Sequence, residues 1–103
     1  MWLLSVLKSK RKDKRYTATF CKCKVKNECK GSNHKSTSFG DPNGTTYIDG
    51  ASEQTKDAYI ARHKVRENWD DFTSAGSLSR WILWGPTTSF RKNIDAFKKR
   101  FKL

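Results

Sequence analysis

Residues 68–85, NWDDFTSAGSLSRWILWG, decide how this chain folds. Three of its four tryptophans lie here: Trp69, Trp81 and Trp84. Leu78, Trp81 and Ile82 fall at i, i+3 and i+4, which is one face of a helix. Leu83 and Trp84 widen that face until little of the turn is polar. A helix that is apolar most of the way round must be covered on several sides. Gly85 followed by Pro86 predicts its C-terminal stop. Asp70, Asp71, Thr73 and Ser74 each offer an N-cap for its start. Such a segment suits the plug of a small core rather than a solvent-exposed site.

Downstream, Thr87, Thr88 or Ser89 caps a last helix. Phe90, Ile94, Phe97 and Phe101 recur in it at i, i+4, i+7 and i+11 as a narrow apolar seam. Its back is Arg91, Lys92, Lys98, Lys99, Arg100 and Lys102, and the cations near its C-terminus suit the helix dipole. Upstream, Ser52 predicts a helix running to about Asn68, with Ala58, Ala61, Val65 and Trp69 as its buried stripe. Arg62, Lys64 and Arg66 lie mostly off that stripe.

The N-terminal half reads as strand. Residues 16–26, YTATFCKCKVK, alternate. Tyr16, Ala18 and Phe20 share one parity; Cys21, Cys23 and Val25 share the other, so a bulge near Phe20 and Cys21 is expected. Residues 27–33 form a turn, and residues 35–39 return as the second strand of a hairpin. GDPNG (40–44) is a turn, and residues 45–48 offer a third short strand closed by Asp49 and Gly50. The expected fold is α+β: a small antiparallel β-sheet of two or three strands in the N-terminal half, packed with about three α-helices in the C-terminal half. Residues 14–103 form one domain on this reading. Residues 1–13 stand apart as an apolar tip (Trp2, Leu3, Leu4, Val6, Leu7) followed by a basic arm.

A chain of 103 residues buries only about 60–65% of its unfolded surface, so its core is small. Lys and Arg number 22 against 10 Asp and Glu, giving a net charge of +12. The charge is uneven. Residues 1–35 carry 11 cations and 2 anions, residues 36–76 carry 4 and 7, and residues 77–103 carry 7 and 1. Two basic ends flanking an acidic middle attract polyanions: nucleic acid, an anionic membrane surface or an acidic protein. The expected contacts are Lys8, Lys10, Arg11, Lys12, Lys14, Arg15, Lys22, Lys24 and Lys26, together with Arg91, Lys92, Lys98, Lys99, Arg100 and Lys102. The apolar tip predicts an anchor in a partner or bilayer interface. No run approaches the length of a membrane span. MWLLSVL lacks the flanks of a standard signal peptide, which predicts synthesis and residence in the cell interior with three reduced thiols.

Chemistry is thinly represented. Cys21, Cys23, Cys29 and His34 give C-x-C-x5-C-x4-H. Thiolates and imidazole ligate zinc, but the spacing is not a common zinc pattern, and small buried hydrophobes on a strand are the simpler account of the cysteines. His63 has Asp57, Glu67, Asp70 and Asp71 as available partners without a recognisable nucleophile, and reads as a boundary histidine. Asp70 and Asp71 read as helix caps. The glycines match no phosphate loop. No catalytic set, cofactor, metal or small-molecule substrate is therefore expected.

Five pieces carry a resemblance: KRYTATF (14–20), the FG…G…Y pattern over 39–47, DAYIARH (57–63), ENWDDFTSAGSLSRWILWGP (67–86) and SFRKNIDAFKKRF (89–101). They resemble an uncharacterised family of small basic proteins encoded by large nucleocytoplasmic DNA viruses, including algal viruses, and by some phages. The resemblance implies a viral origin and brings no activity and no site. With the basic faces, it leads to the expectation of a minor capsid (cement) protein in the virion. Such a protein would join capsid subunits, or the shell to the inner membrane or genome. The alternative is a sequence-nonspecific nucleic-acid-binding protein used in genome packaging, replication or transcription.

Overall fold

The structure, a computed structural model, describes residues 1–25 and 31–103. It is an α+β fold in which three strands form one antiparallel sheet in the order β1-β2-β3. The strands are β1 (Trp2–Lys8), β2 (Tyr16–Cys21) and β3 (His34–Phe39). The helices are α1 (Glu53–His63), α2 (Ala75–Leu78) and α3 (Phe90–Phe101). Between α2 and α3, Ser79–Leu83 forms a single π-helical turn.

β2 is central because its alternation serves both faces. Ala18 and Phe20 are fully buried in the core, and Tyr16 packs at its margin. Thr17 and Thr19 face the other way, where their hydroxyls pair across the ladder with Ser38 at 2.9 Å and Ser36 at 3.4 Å. Hydroxyl pairs of this kind stabilise a solvated sheet face by tenths of a kcal/mol, roughly 0.2–1 each.

The N-terminal residues differ most from expectation. Trp2–Lys8 is not a tip apart from the domain but a strand paired along the whole of β2. The register shifts between Leu3 and Ser5, leaving Leu4 as the extra residue of a bulge. This bulge puts Leu3 opposite Phe20 and Val6 opposite Ala18, so two residues of opposite parity both serve the core. The irregularity expected on β2 thus sits on its neighbour. Of the five anchor residues, Leu3 is buried and Val6 packs against the core, whereas Leu7 is 65% exposed. The boundary after residue 13 disappears with the arm.

Three other expectations change. Residues 45–48 are not a strand. Tyr47–Asp49 is a 3-10 turn whose amides are capped from Thr46 and Asp49, and it ends at Gly50 with φ 101°, a conformation that favours glycine. α1 starts where Ser52 caps the Thr55 amide at 3.1 Å, but it ends at His63 and turns a different face inward. Tyr59 is buried and Ile60 packs on the core, while Ala58, Ala61 and Val65 face solvent. Cys21 is disulfide-bonded, so the reduced state expected of all three thiols does not hold for it. Lys26, Cys29 and most of the turn at 27–33 lie outside the described residues.

The tryptophan segment is the buried plug. Leu78, Ile82 and Leu83 are almost wholly inaccessible, and Trp84 stacks on Tyr59 of α1 at 4.5 Å between ring centroids. Ser74 starts α2 by capping the Ser77 amide at 3.1 Å. The π-turn closes through the Trp84 amide donating to the Ser79 carbonyl at 3.0 Å. Gly85 is not a left-handed cap. It is a point of close approach: a Cβ there would overlap the Trp81 carbonyl and come within 2.7 Å of Asn93 Cγ.

Asn93 is fully buried on α3 and fully used. Its Nδ2 donates to the carbonyls of Ile82 at 2.9 Å and Thr87 at 2.8 Å. Its Oδ1 accepts from the Thr87 amide at 3.0 Å and the Thr87 hydroxyl at 2.8 Å. Replacing it with alanine leaves buried carbonyls unpaired, which costs about 3 kcal/mol. Asn93→Ala is therefore expected to lower the melting temperature by more than about 10 °C, and Gly85→Ala to do the same by overpacking. Thermal unfolding followed by circular dichroism checks both.

Candidate polyanion-binding surface

The first basic set does not form one patch, because the sheet pulls it apart. Lys8, Lys10, Lys12 and Lys14 surround the β1–β2 turn, which is closed by the Ser9 amide donating to the Arg15 carbonyl at 3.0 Å. Lys22 and Lys24 follow the other end of β2, roughly 20 Å away along the strand. There the Trp2 indole N–H donates to the Lys24 carbonyl at 3.2 Å. At the turn, Lys8, Lys14 and Tyr16 help line a groove of about 360 Å³. Tyr16 stacks on Phe90 at 4.7 Å. This contact brings the start of α3, with exposed Arg91 and Lys92, against the end of the sheet that carries the turn. Two segments that carry basic residues, distant in sequence, are joined by this ring contact.

Not every cation is available to a partner. Arg15 forms a two-pronged ion pair with Asp49, with Nη1 to Oδ2 at 2.6 Å, and also donates to the Thr46 hydroxyl. It ties the turn to the Tyr47–Asp49 segment and is structural. Arg11 closes on Asp13 at 2.8 Å in full solvent. Asp49 also accepts from the Thr46 amide and hydroxyl. The Arg15 guanidinium and these donors hold its carboxyl well below the usual carboxylate range. A depressed folded pKa adds stability that is complete above the ordinary value of 3.8 and is lost as the pH falls through the folded one. Asp49→Asn should cost about 1–3 kcal/mol at neutral pH. Its deficit against the wild type should shrink as the pH drops below 3.8, read by chemical denaturation at a series of pH values.

Reading the sequence in order missed a second cluster. Lys56 of α1, Arg80 of the π-turn and Arg100 of α3 converge around Trp81 in a cavity of about 330 Å³. The Arg80 guanidinium lies 4.3 Å from the Trp81 ring centroid and that of Arg100 lies 3.8 Å from it. Arg80 Nη1 donates to the Trp84 carbonyl at 2.7 Å, and Lys56 Nζ to the Gly85 carbonyl at 2.7 Å. Burial pushes the Lys56 ammonium below the ordinary lysine range, and repulsion from Arg80 adds to it, against a counterpull from Asp57 and Glu53. Burial likewise lowers Arg80, with Arg100 repelling it. Arg100 thus stays exposed on α3 while its guanidinium folds over the Trp81 ring.

The remaining sequence candidates are scattered. His34 is exposed and pairs in register with Cys21. Among the described residues, no group of three or more His, Cys, Asp or Glu is placed to hold a metal ion. The disulfide at Cys21 removes its thiolate from the C-x-C-x5-C-x4-H set, and Cys29 lies outside the described residues. His63 stacks on Tyr59 at 4.2 Å, and its Nδ1 lies 3.5 Å from Glu67 Oε1. Both line a cleft of about 580 Å³ with Tyr59, Ser79 and Trp84. Glu67 also accepts the Trp69 indole N–H at 2.8 Å. Burial pushes the Tyr59 hydroxyl up to about 12, which keeps it protonated at neutral pH. Asp71 accepts from the Thr73 amide and hydroxyl in a local turn rather than starting a helix.

Among the described residues no helix is long and apolar enough to cross a membrane. A family model, described as a family of unknown function (DUF5754), matches residues 4–63, which span the sheet and α1. No curated protein matches the chain, and no solved structure does.

Proposed function

The chain belongs to the DUF5754 family, whose description carries no activity, and from its own geometry we propose that it is a non-enzymatic protein that binds the backbone of nucleic acid without reading its sequence. The observation that carries this reading is the Tyr16–Phe90 stack, which docks the start of α3, the segment bearing Arg91 and Lys92, at the end of the sheet whose turn bears Lys8, Lys10, Lys12 and Lys14. These side chains are exposed or half-buried. A phosphate backbone is neutralised by such a surface with release of counterions, and needs no base contact. The aromatic rings beside the cations are packed in the core or on each other. That favours phosphate contact over base stacking.

The reading is tested by fluorescence anisotropy with a labelled duplex across a salt series. Log affinity should fall linearly with log salt, at about 0.9 per phosphate neutralised. Replacing Lys10, Lys12 and Lys14 together by glutamine should reduce the slope by about 2–3. No binding by the wild type near roughly 0.15 M salt, or binding indifferent to salt, would sink the proposal.

One observation favours a second reading, a minor capsid (cement) protein of the virion in the viral setting that the sequence resemblance implies. β1 is an edge strand of the sheet and ends in exposed Leu7. A capsid chain adding a strand there would gain main-chain hydrogen bonds and an apolar contact. Membrane insertion of residues 1–7 loses its support, since Leu3 and Val6 belong to the core. Mass spectrometry of purified particles decides it: a stoichiometric copy number supports cement, and absence from the particle removes it.

A further inference from the structure

We infer that the cavity at Lys56, Arg80 and Arg100 is a binding site for a phosphate monoester carrying a flat organic body, of which a mononucleotide is the simplest case. Three cations from three separate elements face one space of about 330 Å³, and among the described residues no carboxylate lines it. That volume lies at the low end of small-ligand sites. Lys56 and Arg80 are each destabilised in their charged forms by burial, and each is repelled by a neighbouring cation of the cluster. An arrangement of like charges around a partly dry cavity is costly unless an anion completes it. Arg80 Nε is buried and, among the described residues, lacks a hydrogen-bond partner, a condition rare enough in folded proteins to ask for an explanation.

The charge count selects the kind of anion. A phosphodiester carries one negative charge, whereas a monoester carries about −1.5 to −2 near pH 7, closer to what three cations neutralise. The remaining wall selects the body attached to it. Trp81, Pro86 and Ala96 offer apolar surface in the same space, with Phe97 almost wholly buried behind them, and an apolar surface beside an aromatic ring accepts a base or another flat ring. Bare inorganic phosphate would leave that wall unused. The Arg100–Trp81 contact at 3.8 Å holds one cation in place beforehand. The site goes beyond backbone binding: it lies at a different place from the lysines of the β1–β2 turn, and either can exist without the other.

Calorimetric titration with AMP, adenosine and inorganic phosphate tests the inference. The wild type should bind AMP saturably, about tenfold or more tighter than either fragment. Arg100→Gln, an exposed position expected to fold normally, should weaken AMP binding about tenfold, while Lys64→Gln, an exposed position just past the end of α1, should change it less than about twofold. A melting curve confirms that Arg100→Gln is folded; should it not be, Lys56→Gln takes its place with the same expected loss. AMP binding no tighter than adenosine overturns the inference. So does an equal loss in Lys64→Gln, which would make the effect one of overall charge. Salt-sensitive duplex binding without saturable AMP binding overturns the cavity alone and leaves the backbone-binding proposal standing. AMP binding without duplex binding does the reverse.

Discussion

A single buried side chain amide holds the C-terminal half together. Asn93 reaches from α3 into the end of the tryptophan segment and answers the carbonyls of Ile82 and Thr87 as well as both donors of Thr87. A helical segment that ends in a π-turn exposes carbonyls that its own ladder no longer satisfies. Burying them among Trp84, Leu83 and Phe97 without a partner would cost more than the packing returns. With Asn93 in place the turn can be dry. Gly85 then lets the chain pass close enough for the amide to reach, and Pro86 leads it away. The position of Arg80 on the π-turn, and so the cavity around Trp81, follows from that arrangement.

The sequence carries this fold unevenly. The seam of Phe90, Ile94, Phe97 and Phe101 is visible because its spacing is regular and its back is charged, and the structure packs all four on the core. The burial of the tryptophan segment is visible for the same reason. The hairpin of β2 and β3 follows from alternation. β1 is hidden because its bulge breaks the alternation: Leu3 and Val6 cannot share a face of a regular strand. The existence of α1 is legible from its Ser52 cap, but its buried face is hidden in another way. Its apolar residues are few, and small alanines at helical spacing mimic a stripe while bulkier Tyr59 and Ile60 form the true one. Asn93 sits in a polar run and looks like surface. A buried amide has no periodicity to betray it.

The cations divide along the same lines. Lysines that crowd one stretch of sequence are easy to see, yet strand pairing sends Lys22 and Lys24 to the far end of the sheet and the Tyr16–Phe90 stack brings Arg91 and Lys92 to the near one. Arg15 resembles its neighbours in sequence but is tied to Asp49. The cluster of Lys56, Arg80 and Arg100 has no signature at all, because its members come from three elements and meet only once the plug is docked. Charge density along a chain locates solvated surface; charge convergence in space locates a site.

We propose that this protein acts by presenting cations on a frame held by its rings, away from the His63 cleft. A nitrogen–proton correlation spectrum of the labelled protein titrated with a short duplex tests this. Shifts confined to residues 8–14 and 90–92 are expected, with the amides of Tyr59, His63 and Glu67 unmoved. Shifts centred on those three residues, with the lysine turn silent, would contradict it.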